Sequence, residues 1–367
     1  MIAIEATARG KMTSMPHDPL TVSQAGEDAV VEVLRRVIDP HNAGRPGLFL
    51  GPGDDAAVLT CFSAQTVITT DTLSEGQDFR RQWWAGSPAK EWPQDVGTKA
   101  AAQNLSDLNA MAATPTALLI SLTLPPEFSV DWVRDFYQGV VRACSQTGAQ
   151  QCVVAGGDLG SGPEMSVTIT ALGEPREKGR LLKRDGARAG DVLAVSGVLG
   201  YAAAGLALLE QSMKPVSSEP AAHAWEALTG IAAQCVAAQK RPQPPLTAGV
   251  TAVRAQASAG MDLSDGLMRD CSRLARASDV RITFDDAALA AEARVLEPVA
   301  RQLGLSDSVC RDWVLTGGED FALLAAFPPE VPLPEGFRRL GSIESGPAGV
   351  SAETLGTHRG WDSMRSE

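Results

Sequence analysis

Apolar residues recur at helical spacing in Val30, Val31, Leu34 and Val37, which predicts a first helix over 25–37, broken by the prolines at 40 and 46. A strand-like run leads into GPGDDAAVL at 51–59, and TVITTDTL at 66–73 is a second β-rich run. RRQWWAGSPAKEW at 80–92 has no clear period and reads as an insertion or an extended substrate loop. A helix is predicted over 95–113. Its Ala101, Leu105, Leu108 and Ala112 share one stripe and Gln103, Asn104 and Asp107 lie roughly on the other side, which buries the leucines and leaves Asp107 free to face a ligand. Strands over 117–124, 151–155 and 165–172, with a helix over 130–147, complete the first half.

The polar segment EPREKGR at 174–180 contains Pro and Gly and marks a domain boundary. The expected organisation is a loose extension over 1–22, a first domain over 23–173 and a second over 174–367. In the second, a strand over 192–196 precedes a helix over 200–211 and a less ordered Pro- and Ala-rich region. A strand ending at Asp262 feeds a helix over 266–277, and further strands fall at 281–284 and 321–327. Strands alternating with helices give an α/β (α+β) class.

Composition narrows the chemistry. A 367-residue chain with 44% apolar residues is long enough for two cores, and 35 Gly with 23 Pro promise many tight turns. The formal net charge of −12 repels a phosphate backbone, which argues against nucleic acid; a polyanionic ligand needs metal ions or local Arg and Lys. Six cysteines without a CxxC pair read as reduced, mostly buried thiols. No stretch is long and apolar enough for a membrane span, and the first 20 residues lack a signal-peptide core, so the expected location is cytoplasmic. The four histidines, His17, His41, His223 and His358, fall outside the motifs below and are expected on the surface.

Carboxylates recur beside glycines or at strand ends and helix starts: Asp54, Asp55, Asp71, Asp107, Asp158, Asp262, Asp265, Glu319 and Asp320. Hard divalent cations take oxygen ligands, and magnesium combines a few carboxylates with phosphates and water. Each is also an ordinary turn former or cap. Ser264 or Asp265, for instance, is placed to N-cap the helix after DLSDG. The residues alone leave both readings open.

The order of motifs goes further. GPGDDAAVL, TTDTLSEGQDF, NLSDLNAMAATP, VVAGGDLGSG, GRLLKRDGARAGD, MDLSDGL and LTGGEDFALL closely resemble the successive motifs of thiamine-monophosphate kinases, from about residue 26 to 361. The resemblance implies a two-domain, aminoimidazole ribonucleotide synthetase-like fold with mixed sheets flanked by helices. It implies transfer of a phosphoryl group from ATP to thiamine monophosphate, magnesium as cofactor, and a homodimer paired through the N-terminal sheets. It further implies that Asp55, Thr69, Thr70, Asp71, Asp107, Asp158, Asp262 and Asp265 ligate magnesium. Gly157, Asp158, Arg184 and Ser264 would contact ATP; Glu319 and Trp361 would contact the thiamine phosphate. Where the family commonly has His followed by Phe, this chain has Asp78 and Phe79, which makes Asp78 a substituted substrate contact. Two alternatives are another ATP-using enzyme of the same fold and a non-catalytic nucleotide or thiamine-phosphate sensor. The early Cys of a selenophosphate synthetase and the C-terminal Cys of the hydrogenase-maturation protein are both absent.

Overall fold

A computed structural model describes residues 20–52, 56–85, 87–175, 177, 179–212 and 228–351. In the first half the elements are α1 (Val22–Ala25), α2 (Glu27–Asn42), β1 (Leu48–Leu50), β2 (Val58–Leu59), β3 (Val67–Ser74) and a 3-10 turn (Arg81–Trp84). They continue with α3 (Glu91–Ala110), β4 (Ala113–Leu124), α4 (Val130–Cys144), β5 (Val153–Ser161) and β6 (Ser166–Pro175). These build a four-stranded sheet in the order β3-β6-β4-β5, antiparallel except for the β4–β5 pair.

One face of that sheet packs on α3, with α2 against β5; on the other, Leu48, Ala57 and Leu59 pack on Ala117, Val153 and Ala155, while Ile68, Thr70, Thr72, Leu119 and Ser121 are exposed among the described residues. Helices α3 and α4 approach so closely that a Cβ on Gly97 would sit 2.0 Å from Phe136 O, and one on Gly139 2.0 Å from Gln94 O. Thr98 Oγ1 donates to Gly139 O at 3.1 Å across the same contact.

The second half runs β7 (Val192–Ser196), α5 (Tyr201–Ser212), α6 (Gly230–Lys240), α7 (Ala248–Arg254), β8 (Ala259–Leu263), α8 (Leu267–Ser278) and β9 (Arg281–Phe284). It ends with α9 (Asp286–Gln302), α10 (Ser308–Thr316), β10 (Ala322–Phe327), β11 (Arg338–Glu344) and β12 (Gly349–Val350). Its six strands lie in the order β12-β9-β11-β7-β10-β8. Helix α3 touches both sheets, packing on β3, β6 and β4 and also on β8 and β10. That places its polar side chains between the two.

Several boundaries differ from the sequence reading. Helix α2 runs through Pro40, because its last turn is tied to β5: Asn42 Nδ2 donates to Val154 O at 2.8 Å, and Val154 N donates back to Asn42 Oδ1 at 3.0 Å. His41 is buried, with Nε2 2.9 Å from Cys152 O, contrary to the expected surface position; the other three histidines lie outside the described residues. Within the extension over 1–22 expected to be loose, Leu20 and Val22 pair with 128–130, since Val130 N donates to Leu20 O and Val22 N to Phe128 O. The helix expected to reach 113 stops at Ala110, and Ala113 already begins β4. The Pro- and Ala-rich stretch after α5 contains α6 and α7. Five of the six cysteines are buried free thiols; Cys61 is exposed. Among the described residues no helix is long and apolar enough to cross a membrane.

Candidate active site

A cavity of about 260 Å³ opens between the two sheets, lined by Thr69 of β3, Asp107 of α3, Arg184, and Gly260 and Asp262 of β8. Thr69 Oγ1 donates to Asp107 Oδ2 at 2.5 Å, and Ser106 Oγ donates to the buried Asp262 Oδ2 at 3.2 Å. Period-2 alternation in β3 sends Thr69 and Asp71 to the α3 side and Thr70 and Thr72 to the open face.

The carboxylates disturb one another. Burial pushes the Asp71 carboxyl up to about 6, helped by the charge of Asp107, a hydrogen bond shared with it, and the charges of Asp265 and Asp78. Burial also raises Asp107, opposed by the Thr69 hydrogen bond and the positive charge of Arg184. Asp262 rises to about 8 through burial and then the charges of Asp107 and Asp270, again with Arg184 opposing. A site that crowds carboxylates together in this way is short of positive charge. Among the described residues no group of three or more His, Cys, Asp or Glu side chains is arranged to hold a metal ion. An open carboxylate set suits magnesium, which keeps waters and substrate phosphates in its shell.

The remaining expected positions are distributed. Thr70 Oγ1 donates to Ile169 O at 3.1 Å and lies 3.1 Å from Thr170 Oγ1, on the open face. Asp158 is on that face too: the cross-strand pairs Thr72–Thr168, Thr168–Ser121 and Ser121–Asp158 put it in one row with Thr72, at the opposite edge of the sheet. Three strand spacings separate those edges, about 14 Å. Gly157 precedes Asp158 where β5 crowds β4, and a Cβ there would lie 1.8 Å from Ile120 O. Asp55 and Trp361 lie outside the described residues.

The DLSDG and TGGED segments are stitched together, since Glu319 N donates to Ser264 O at 2.8 Å and Phe321 N to Leu263 O at 2.9 Å. Neither Ser264 nor Asp265 caps α8, correcting the expectation. The N-cap is Gly266, at φ +105, and a Cβ there would meet Thr316 O at 2.7 Å. Asp270, inside the helix, supplies the missing acceptor: its Oδ2 takes Ser264 N at 3.1 Å and Asp265 N at 3.0 Å. Asp265 instead pairs with Arg273 at 2.6 Å. Asp320 turns away from the cavity and caps α5, accepting from Gly200 N at 2.5 Å and Ala202 N at 2.9 Å.

Glu319 adopts φ +64 and Phe321 φ +49, left-handed backbone that non-glycine residues hold only when their surroundings impose it. The Glu319 carboxylate accepts from Gln239 Nε2 at 2.7 Å and pairs with Lys99 at 2.8 Å. Asp78 closes its own turn, taking Ser74 N on Oδ2 at 2.7 Å. Burial raises its carboxyl, the Ser74 N–H opposes that, and the charge of Glu319 adds to the rise. Lys99 and Gln239 were not singled out in the sequence. The available signal was a lone Lys within the run GTKAAAQ, where only an internal partner lets a charge be buried.

The two sheets and the helices on them define a protein with the AIR synthase-related fold. Residues 53–174 match the family model described as AIR synthase related protein, N-terminal domain. Hydrogenase maturation protein HypE in complex with ATP shares the fold at 18% identity, TM-score 0.62, covering 91% of this chain and 93% of that one. More specifically, thiamine-monophosphate kinase of Mycobacterium tuberculosis is 36% identical over 354 residues, 96% of this chain and 95% of that protein. The crystal structure of the enzyme from Stenotrophomonas maltophilia K279a superposes with TM-score 0.70 at 31% identity, covering 88% of this chain and 97% of that one. A structure described as AaThiL complexed with AMPPCP and TMP aligns at TM-score 0.65 and 29% identity, covering 92% and 96%. The chain belongs to the thiamine-monophosphate kinase family and is an enzyme of the kinase class.

Proposed function

We propose that the protein transfers the terminal phosphoryl group of ATP directly onto the phosphate of thiamine monophosphate, giving thiamine diphosphate. The observation that carries this reading is the cavity between the sheets, where Asp107 and Asp262 face Arg184 and Asp71 crowds Asp107. The motif order and the kinship to thiamine-monophosphate kinases support it.

The acceptor is a phosphate oxygen, already largely ionised near neutral pH because its second pKa lies at about 6. It needs alignment and charge neutralisation more than a base. Asp71, Asp107 and Asp262, with Asp55, Thr69, Thr70, Asp158 and Asp265, are the residues we assign to magnesium. When bound, magnesium offsets the repulsion between two polyanions and stabilises charge as the phosphoryl group moves in line. Thr69 holds the Asp107 carboxylate by its hydrogen bond. Arg184 offers a charged fork to ATP phosphates at the cavity rim. Gly157 with Asp158 and Ser264 complete the ATP contacts. Asp78, Glu319 and Trp361 are assigned to the thiamine phosphate, with carboxylates facing its cationic thiazolium.

The protein is a cytoplasmic homodimer in this reading, with domains over 23–173 and 174–367. The separate sheets support that division, although β6 itself continues to Pro175. The open face supports the dimer. It exposes Ile68 and Leu119, and within one chain it leaves Asp158 far from Thr70. A second copy laid on this face brings an Asp158 edge toward the first copy's Thr70.

The test is to incubate the purified protein with ATP, magnesium and thiamine monophosphate and follow the products. Thiamine diphosphate should form, and free thiamine should not be phosphorylated. ATP hydrolysis only with formylglycinamidine ribonucleotide would replace this reading with the synthetase one.

A further inference from the structure

Lys99 is 1% exposed, and each hydrogen on its ammonium group has an acceptor. Nζ donates to Asp78 O at 2.9 Å and to Gln239 O at 3.2 Å, and it meets Glu319 Oε1 at 2.8 Å. One charge on α3 therefore ties the turn after β3, the end of α6 and the loop before β10. Gln239 Nε2 takes the other Glu319 oxygen at 2.7 Å, so the carboxylate is gripped on both sides. Its side chain is nevertheless 32% exposed, and its backbone sits at φ +64. A carboxylate held from below, open above and set on strained backbone is a presented group.

The Trp-rich stretch builds the surroundings of that grip. Trp83 is buried with its ring 5.8 Å from Lys99 Nζ, and it stacks at a tilt on Trp84, 6.0 Å away. Trp84 Nε1 donates to Asp95 Oδ2 at 2.9 Å on α3, and Lys240 of α6 lies 4.8 Å over the Trp84 ring. The 3-10 turn is thereby fixed to both helices that hold Glu319. Trp83 and Trp84 of this stretch are packed against the helices that grip Glu319 and are not part of a free loop.

The geometry points to Lys99 as a positioning residue that sets the Glu319 carboxylate for the thiamine end of the acceptor. Lys99 and Asp107 stand eight residues apart on α3, a rise of about 12 Å. One rigid helix thus spaces the phosphate end of the site from the end that grips the rest of the acceptor. A group held by locked neighbours keeps its orientation, and losing such support typically costs about tenfold or more in affinity or activity. Removing Lys99 frees Glu319 to turn and relieves the restraint on the Asp78 turn. ATP, bound at the other end, is untouched.

This inference rests on the assignment of Glu319 to the thiamine phosphate, and the experiment separates the two. Steady-state kinetics with each substrate varied, plus calorimetric binding of thiamine monophosphate, are measured for Lys99→Met, Glu319→Gln and the double variant. Lys99→Met should raise the KM for thiamine monophosphate about tenfold while the KM for ATP stays within about twofold. The double variant should be no worse than Glu319→Gln alone, because Lys99 acts through Glu319. Multiplying effects, or equal losses for both substrates, would overturn the role of Lys99. An unchanged KM in Glu319→Gln would overturn the assignment of Glu319 beneath it. Should Lys99→Met fail to fold, Gln239→Leu removes the other grip and keeps the backbone acceptor. It should give the same one-sided rise in KM, and a wild-type KM beside a raised one in Glu319→Gln would overturn the proposal.

Discussion

The hydroxyl of Thr69 donates to Asp107 Oδ2 at 2.5 Å, joining β3 of one sheet to the helix that runs between both. Thr70, next in sequence, points to the opposite face and bonds Ile169 O. The two threonines of one motif should therefore respond differently. Thr69→Val keeps the shape and removes the donor, so kcat should fall roughly tenfold, the order expected for a lost positioning bond. Thr70→Val removes one oxygen assigned to magnesium but leaves the Thr69–Asp107 bond in place, whereas Thr69→Val loses both, so the Thr70 variant should alter kcat less. Comparable losses in both, at matched thermal stability, would break the division by sheet face.

Asp71→Asn should nearly abolish turnover while the fold survives. The amide is almost isosteric, and relieving a half-buried carboxylate raised to about 6 costs the folded chain nothing in electrostatics. What disappears is a charge we assign to magnesium, and with it several kcal/mol of transition-state stabilisation. Saturating ATP and raised magnesium, beside a thermal melt, give the measurement. Near wild-type turnover would remove Asp71 from the ligand set.

Mixing two inactive variants tests the dimer. If Asp158 serves the site of its partner, Asp71→Asn and Asp158→Asn chains exchanged into one dimer create one doubly damaged site and one intact site. Half the dimers are mixed at equilibrium, so about a quarter of wild-type activity should return. No recovery after verified exchange would place Asp158 in its own chain's site.

Asp320 offers a pH signature separate from catalysis. Burial lifts its carboxyl from 3.8 to about 7, against the opposing hydrogen bonds from Ala202, Gly200 and Tyr201 N–H groups. Because the folded pKa is the higher one, the folded state holds a proton that the unfolded chain has released. Stability from this group is full below about 4 and falls as pH rises to about 7. The stability difference between wild type and Asp320→Asn should shrink across that window and level off above it, by no more than tenfold in the folding constant per pH unit. Denaturant melts at pH 5, 6, 7 and 8 read this directly; a difference that grows with pH would reverse the assignment.

Gly97→Ala tests the helix crossing that carries Lys99 and Asp107. The new methyl would lie 2.0 Å from Phe136 O, which is backbone and cannot swing aside. Forcing α3 from α4 should cost about 1–3 kcal/mol or more, despite the better helix propensity of alanine. An unchanged melting temperature would show that the helices slide apart freely.

The sequence by itself determined the family and most strands, because these rest on motif order and on short-range periodicity. TTDTL, GGD and GGED are legible because local backbone turns and an alternating strand constrain contiguous residues. Only the tertiary structure decided which members face one cavity. A step of one residue sends Thr70 away from Thr69, and Asp270, not Ser264 or Asp265, receives the N–H groups before α8. Lys99 lies 140 residues from Gln239 and 220 from Glu319 in the chain, so no local pattern links them. Burial decided the rest. A lysine in an alanine-rich helix becomes the support of a carboxylate only when the turn after β3, the end of α6, the loop before β10 and Trp83 close around it, since an ion without water must find its partners in the protein.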